Sequence, residues 1–170
     1  MKELHAGRHL RLVARNGWEF VERPGVHGIV VVVAVTPGGR LLLVEQRREP
    51  VDGNVLELPA GLAGDAGGEA DEPLEEAALR ELAEETGWEA ASMERLTAGP
   101  PSAGVTSEVV TFFRARGLAK TGAGGGVEGE AITVHEVPLE DAEGALLARE
   151  AAGVLVDPKV WAGLYFARRP

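Results

Sequence analysis

Between Gly61 and Trp88 the chain carries Arg80-Glu81-Leu82-Ala83-Glu84-Glu85-Thr86-Gly87, with glutamates recurring at the spacing of one helix face. At about 3.6 residues per turn Glu81 and Glu85 stand one above the other and Glu84 falls beside them, within an arc of about 100°. Such crowding opposes the helix. A like-charge pair four residues apart costs about 0.2–0.5 kcal/mol, and Gly87 marks the helix end as its C′ residue. Glu84 and Glu85 therefore fall in the last turn, where the macrodipole disfavours an anion by roughly 0.3–1 kcal/mol. Glu69, Asp71, Glu72, Glu75, Glu76 and Glu89 add negative charge, and within this segment Arg80 alone opposes it. A divalent cation held by carboxylate oxygens would remove the conflict. A solvated glutamate-rich face, with Leu74, Ala78 and Leu82 as its apolar stripe, is the plainer reading of the same pattern. The order Arg-Glu, Glu-Glu, Gly, preceded by Glu57-Leu58-Pro59-Ala60-Gly61, favours the cation seat.

From Glu72 onward these residues resemble the box of the Nudix hydrolases: Glu, seven residues, Arg-Glu-apolar-any-Glu-Glu-any-Gly-apolar, here Glu72, Pro73 to Leu79, Arg80, Glu81, Leu82, Glu84, Glu85, Gly87 and Trp88. In that family five residues separate a glycine from the first Glu. If Gly61 is that glycine, ten residues separate it from Glu72, and Leu62 to Asp71 holds a five-residue insertion; counted strictly, the glycine position holds Ala66. The insertion is preferred, because Glu-Leu-Pro-Ala-Gly commonly opens the box and a Gly-rich loop lengthens at little entropic cost. Leu43 to Arg48, Ser102 to Glu108 and Gly124 to Val134 are similar to segments of the ADP-ribose pyrophosphatase branch. Ala103 departs from it, since the branch usually has Ser-Pro-Gly there.

The resemblance implies a pyrophosphohydrolase that cleaves ADP-ribose or a related nucleoside diphosphate derivative to AMP and a phosphorylated second product. FAD, NADH and sugar nucleotides are rival substrates, and a catalytically silent nucleotide-sensing module is the rival of another class. Water attacking a polyanionic diphosphate needs its charge neutralised, which implies Mg²⁺, with Mn²⁺ or Zn²⁺ as substitutes. By resemblance Glu81 and Glu85 are the principal ligands, Glu84 supports a further ion, the Ala60 carbonyl completes the site, and Arg80 pairs with a box carboxylate to hold helix to loop. The base that orients or deprotonates water matches Glu128, with Glu108 as its alternative or assistant. Trp18 corresponds to an adenine-stacking residue, Arg23 to a ligand-binding arginine often reaching across a dimer interface, and Arg48 to a phosphate binder, with Arg47 able to exchange roles. A homodimer is implied.

The elements that must position these groups are legible as a mixed pattern. Leu10 to Arg15 and Trp18 to Arg23 read as strands around Asn16-Gly17, a hairpin at about residues 8–23. Val26 to Val35 reads as a buried strand, Pro37-Gly38-Gly39 as a turn, and Arg40 to Gln46 as the returning strand. Val109 to Ala115 and Ala131 to Val137 read as strands, and Gly122 to Gly129 as a loop, a flexible lid beside a rigid strand. Leu139 to Arg149 and Pro158 to Ala167 read as helices, the second with Asp157 as N-cap and Pro158 at N1. Strands interspersed with helices predict an α/β (α+β) fold, a mixed sheet between helical layers.

Composition bounds the function. At 170 residues, 45% hydrophobic and 26% charged, the chain suits one domain with a substantial core. A net charge of -10 disfavours nucleic acid and anionic membranes as partners, and the lack of cysteine excludes thiolate metal sites. The apolar run from Ile29 to Val35 is too short to span a bilayer, and no signal-peptide pattern opens the sequence. A cytoplasmic location is expected.

Overall fold

The structure, a computed structural model, describes residues 1–64, 72–127 and 131–169. In chain order the strands are β1 (Lys2–Ala6), β2 (Arg11–Arg15), β3 (Trp18–Glu22), β4 (Gly28–Val33), β5 (Arg40–Arg48), β6 (Gly53–Glu57), β7 (Ala60–Ala63), β8 (Trp88–Glu89), β9 (Ser92–Gly99), β10 (Val110–Arg116), β11 (Ala119–Lys120), β12 (Thr133–Pro138) and β13 (Leu155–Val156). Helix α1 (Leu74–Thr86) follows β7, α2 (Ala142–Ala151) follows β12, and α3 (Pro158–Ala167) follows β13.

Two four-stranded mixed sheets form the centre, ordered β7-β4-β10-β9 and β12-β5-β6-β13. β10 runs parallel to β4 and β13 parallel to β6, while the remaining pairs in these sheets are antiparallel. The sheets meet where β4 turns into β5: Val35 bridges Leu41, and the Leu42 N–H donates to the Ala34 carbonyl at 2.9 Å.

Side chains alternate across a strand, so a valine-rich β4 can feed two cores at once. Val30 and Val32 pack with Leu42, Phe113, Ala77, Ala78 and Leu82 under α1. Val31 and Val33 pack with Leu41, Leu43, Leu56, Phe112, Leu146, Val160 and Leu164 under α2 and α3. The mixed sheets therefore lie between helical layers, as the sequence predicts. Leu82 is fully buried, and truncating it to alanine would cost about 2–5 kcal/mol.

Several boundaries differ from expectation. The hairpin at Asn16-Gly17 is present, both residues having positive φ (52° and 82°), but β1 pairs with β2 and makes it a three-stranded meander. β1 is exposed at every residue, so it carries no inward-outward pattern to read. Strands β6, β7, β8, β9, β11 and β13 are also additional. β7 is four residues of Ala-Gly-Leu-Ala, a composition that does not announce a strand. α2 begins at Ala142 rather than Leu139, because the Leu139 N–H is bound to the Gly39 carbonyl at 2.9 Å and belongs to the turn after β12. α3 has the expected start, with the Asp157 carboxylate accepting from the Lys159 N–H at 2.7 Å. Among the described residues no helix is long and apolar enough to cross a membrane.

Candidate active site

Helix α1 starts after Pro73, with Glu75 and Glu76 in its first turn where the macrodipole favours acid, and ends at Gly87 in the left-handed region (φ 69°). Its inner face buries Ala77, Ala78 and Leu82, so the polar strip is turned toward β7 and the chain leading into the helix.

Arg80 organises that strip. Its Nε donates to Glu72 Oε1 at 2.9 Å and its Nη2 to Glu72 Oε2 at 3.1 Å, a two-pronged pairing. Nη2 also donates to the Leu62 carbonyl at 3.1 Å, and Nη1 to Glu81 Oε1 at 2.9 Å and Glu84 Oε2 at 3.2 Å. The crowding expected of Glu81 and Glu84 is thus relieved partly by a guanidinium. The Arg80 pairing, opposed by burial and assisted by the Gly64 N–H, holds the Glu72 carboxyl below the ordinary glutamate range. Arg80 in turn is raised above the usual guanidinium range, chiefly by Glu72.

Glu81 and Glu85 are the most buried carboxylates of the strip, 9% and 5% exposed. Each meets β7. Glu85 Oε2 accepts the Ala60 N–H at 3.0 Å, and a Cβ added at Gly61 would overlap the Glu81 carboxylate. A glycine at 61 is needed for this close approach. Among the described residues no three carboxylate or histidine side chains converge as a ready metal cage. The donor set nevertheless suits a hard divalent cation: carboxylate oxygens of Glu81, Glu84 and Glu85, with glycine leaving room for them beside a backbone strand.

The segment after β11 departs from expectation. The sequence reads Gly122 to Gly129 as a flexible lid, yet its described part is docked on the end of α1. The Gly125 N–H donates to the Glu85 carbonyl at 2.8 Å and the Gly126 N–H to the Glu84 carbonyl at 3.0 Å. Lys120 Nζ donates to the Thr86 carbonyl at 2.9 Å. Glu128, the expected base, lies outside the described residues, as do Asp65 to Asp71, which hold most of the expected insertion.

Arg23 and Glu108 are brought together, with Arg23 Nε donating to Glu108 Oε1 at 3.1 Å. They line a pocket of about 90 Å³ with Val26, His27, Gly28 and Ser107. The segment bearing Glu108 is tied to β3: the Val21 N–H donates to the Val105 carbonyl at 2.8 Å and the Ser107 N–H to the Val21 carbonyl at 3.1 Å. His27 links this pocket to the box, because its Nε2 donates to the Glu72 carbonyl at 2.8 Å. Trp18 lies outside the core, 66% exposed at the start of β3. Arg48 pairs through Nε with Glu57 Oε2 at 2.8 Å, and by strand alternation shares the face of Leu42, which packs toward α1. Arg47 is turned away to Glu49 and Asp52.

Sequence reasoning missed His27, Lys120 and the ion-pairing of Glu57. His27 is 45 residues from Glu72 and Lys120 is 34 from Thr86, so no local spacing could announce either contact.

A family model described as NUDIX domain matches residues 26–157. The chain is 38% identical over 133 residues to an ADP-ribose pyrophosphatase of Bacillus subtilis (strain 168), covering 78% of this chain and 68% of that protein. It is 36% identical over 125 residues to a methanol dehydrogenase activator of Bacillus methanolicus, covering 73% of this chain and 63% of that protein's length, somewhat under two thirds. A GDP-mannose pyrophosphatase of Yersinia enterocolitica is 34% identical over 150 residues, covering 84% of this chain and 73% of that protein. The crystal structure of an ADP compounds hydrolase shares the fold, with a TM-score of 0.63 at 21% identity over 84% of this chain and 80% of that one.

Proposed function

The chain belongs to the Nudix family, and on that premise we propose that it is a metal-dependent pyrophosphohydrolase cleaving ADP-ribose or a related nucleoside diphosphate derivative to AMP and a phosphorylated second product. The observation that carries this reading is the pair of buried carboxylates, Glu81 and Glu85, seated against the Ala60-Gly61 backbone. Their oxygens, with those of Glu84, are the hard donors that a divalent cation takes, and the glycine at 61 leaves them room beside the strand.

Glu81 and Glu85, with Glu84 and the Ala60 carbonyl, would hold the cation. When bound, a divalent ion neutralises diphosphate charge and helps position the attacking water. Arg80 keeps Glu81 and Glu84 in place and is itself held by Glu72. We assign Arg48 and Arg23 to the substrate phosphates, Trp18 to the adenine face, Glu108 to the orientation of Arg23, and Glu128, on resemblance alone, to removal of the water proton. Water oxygen then bonds to phosphorus as the bridging P–O bond breaks, and the leaving phosphate carries the electron pair. A homodimer is proposed on the exposure of Leu4, Leu10, Leu12 and Trp18 along β1 to β3.

Incubation with ADP-ribose and Mg²⁺, following AMP by chromatography, tests the reading. GDP-mannose is run alongside because one relative is named for it, and FAD and NADH complete the panel. Absence of hydrolysis across the panel, with nucleotide still bound, would favour a silent sensing module.

A further inference from the structure

The last carbonyls of a helix lack partners within it, and a buried one left unpaired is costly. At the end of α1 each is accounted for. Ala83 O accepts the Gly87 N–H (2.9 Å), Glu84 O the Gly126 N–H (3.0 Å), Glu85 O the Gly125 N–H (2.8 Å) and Thr86 O the Lys120 ammonium (2.9 Å). The Gly87 carbonyl accepts from the N–H groups of Thr121 and Gly122 at 2.9 and 3.0 Å. Two of these donors come from glycines with φ of 110° and 84°, and Gly124 before them has φ 72°. Side chains rarely adopt that region.

Contact distance adds a second constraint. A Cβ at Gly124 would lie 2.7 Å from the Gly87 nitrogen and closer still to the Thr86 backbone, and one at Gly87 would lie 2.6 Å from the Gly124 nitrogen. Backbone meets backbone here with no room for a side chain on either strand of chain. A spacer that needed only freedom of movement would require neither the approach nor the bonds. These glycines are the residues that permit docking.

We infer that Gly124 to Gly126 is a positioning element for the cation-holding turn: it fixes the backbone of Glu84 and Glu85, and its docking is thermodynamically coupled to divalent-cation binding. The inference rests on reading Glu81, Glu84 and Glu85 as ligands. A cap serving stability alone would leave cation affinity unchanged. A positioning element must share its free energy with the ion, and the coupling is reciprocal. Mg²⁺ should therefore tighten the Gly125 and Gly126 amide bonds by the factor by which loosening them weakens Mg²⁺.

The test uses the full chain and Mg²⁺ itself. Saturating Mg²⁺ is expected to slow native-state hydrogen exchange of the Gly125 and Gly126 amides by roughly five- to fiftyfold. Gly124→Ala is expected to weaken Mg²⁺ binding in titration calorimetry by a similar factor. Gly144→Ala, where an added Cβ meets nothing within 4 Å, should leave affinity at the wild-type value. Should Gly124→Ala fail to fold, the exchange measurement on wild type decides alone. Saturable Mg²⁺ uptake with unaltered exchange at both amides overturns the coupling while leaving the active-site reading intact. No saturable Mg²⁺ uptake, with or without AMP, overturns that reading and the coupling with it.

Discussion

Arg80 and Glu72 face each other fork to fork, Nε to Oε1 at 2.9 Å and Nη2 to Oε2 at 3.1 Å. The pairing closes the base of the chain that leaves β7 and enters α1, since Gly64 N–H also donates to Glu72 Oε2 at 3.2 Å. The entry to the helix is thus locked to the guanidinium that steadies Glu81 and Glu84.

A carboxyl whose folded pKa is depressed contributes stability above its unfolded value, and that contribution is lost as pH falls through the lower folded value. Glu72 is such a group, held below its ordinary value of 4.5 first by Arg80. Glu72→Gln should cost about 1–3 kcal/mol at neutral pH. In urea titrations the gap from wild type should narrow as the pH drops below the usual carboxylate range. A gap constant down to strongly acid pH would show that the carboxylate charge is not its source.

Glu85→Gln retains an oxygen that can accept the Ala60 N–H, so the fold should persist. Turnover should nevertheless fall by about a hundredfold or more, since a neutral amide is a poor ligand for a hard dication. Circular dichroism and steady-state kinetics read the two effects separately. Unchanged turnover removes Glu85 from the cation site.

Gly61→Ala places a methyl group where the Glu81 carboxylate lies. Overpacking of this kind costs about 1–3 kcal/mol, and the displaced carboxylate should lower activity at limiting Mg²⁺ more than at saturating Mg²⁺. Equal loss at both concentrations would separate Gly61 from ion binding.

Trp18 is too exposed to support the core, so Trp18→Ala should leave the melting temperature of the isolated chain nearly unchanged. Loss of base stacking, about 1–3 kcal/mol, should raise KM for adenine-containing substrates by about 5- to 150-fold. A lower melting temperature with unaltered KM would make Trp18 a structural residue.

Lys120→Met removes a cation from the end of α1, where its interaction with the terminal carbonyl is worth about 0.3–1 kcal/mol. Thermal denaturation should show that loss, and Lys120→Arg should restore most of it. Equal melting temperatures for all three proteins would assign the cap to the glycine amides alone.

Much of the fold was legible because its signals are periodic or local. β4 and β5 are apolar runs bounded by Pro37-Gly38-Gly39, and α3 opens with Asp157-Pro158. β1 and β7 were illegible because an exposed strand and a small-residue strand carry no alternation, and both are strands by virtue of their partners, β2 and β4. The same holds for the site. Arg80, Glu81, Glu84 and Glu85 share one helix, so their spacing already places them on one face, whereas Arg23 meets Glu108 across 85 residues.

Sequence by itself determined the acidic strip of α1 and its glycine stop, because helical periodicity and backbone sterics act within a few residues. Tertiary structure alone decided the particular partners: Arg80 takes Glu72, Gly61 comes to lie against the Glu81 carboxylate, His27 reaches the Glu72 carbonyl, and Lys120 with Gly125 and Gly126 closes the helix end. Hydrogen bonds and ion pairs fall off over a few ångströms, and only the packed sheets bring distant stretches of chain within that range.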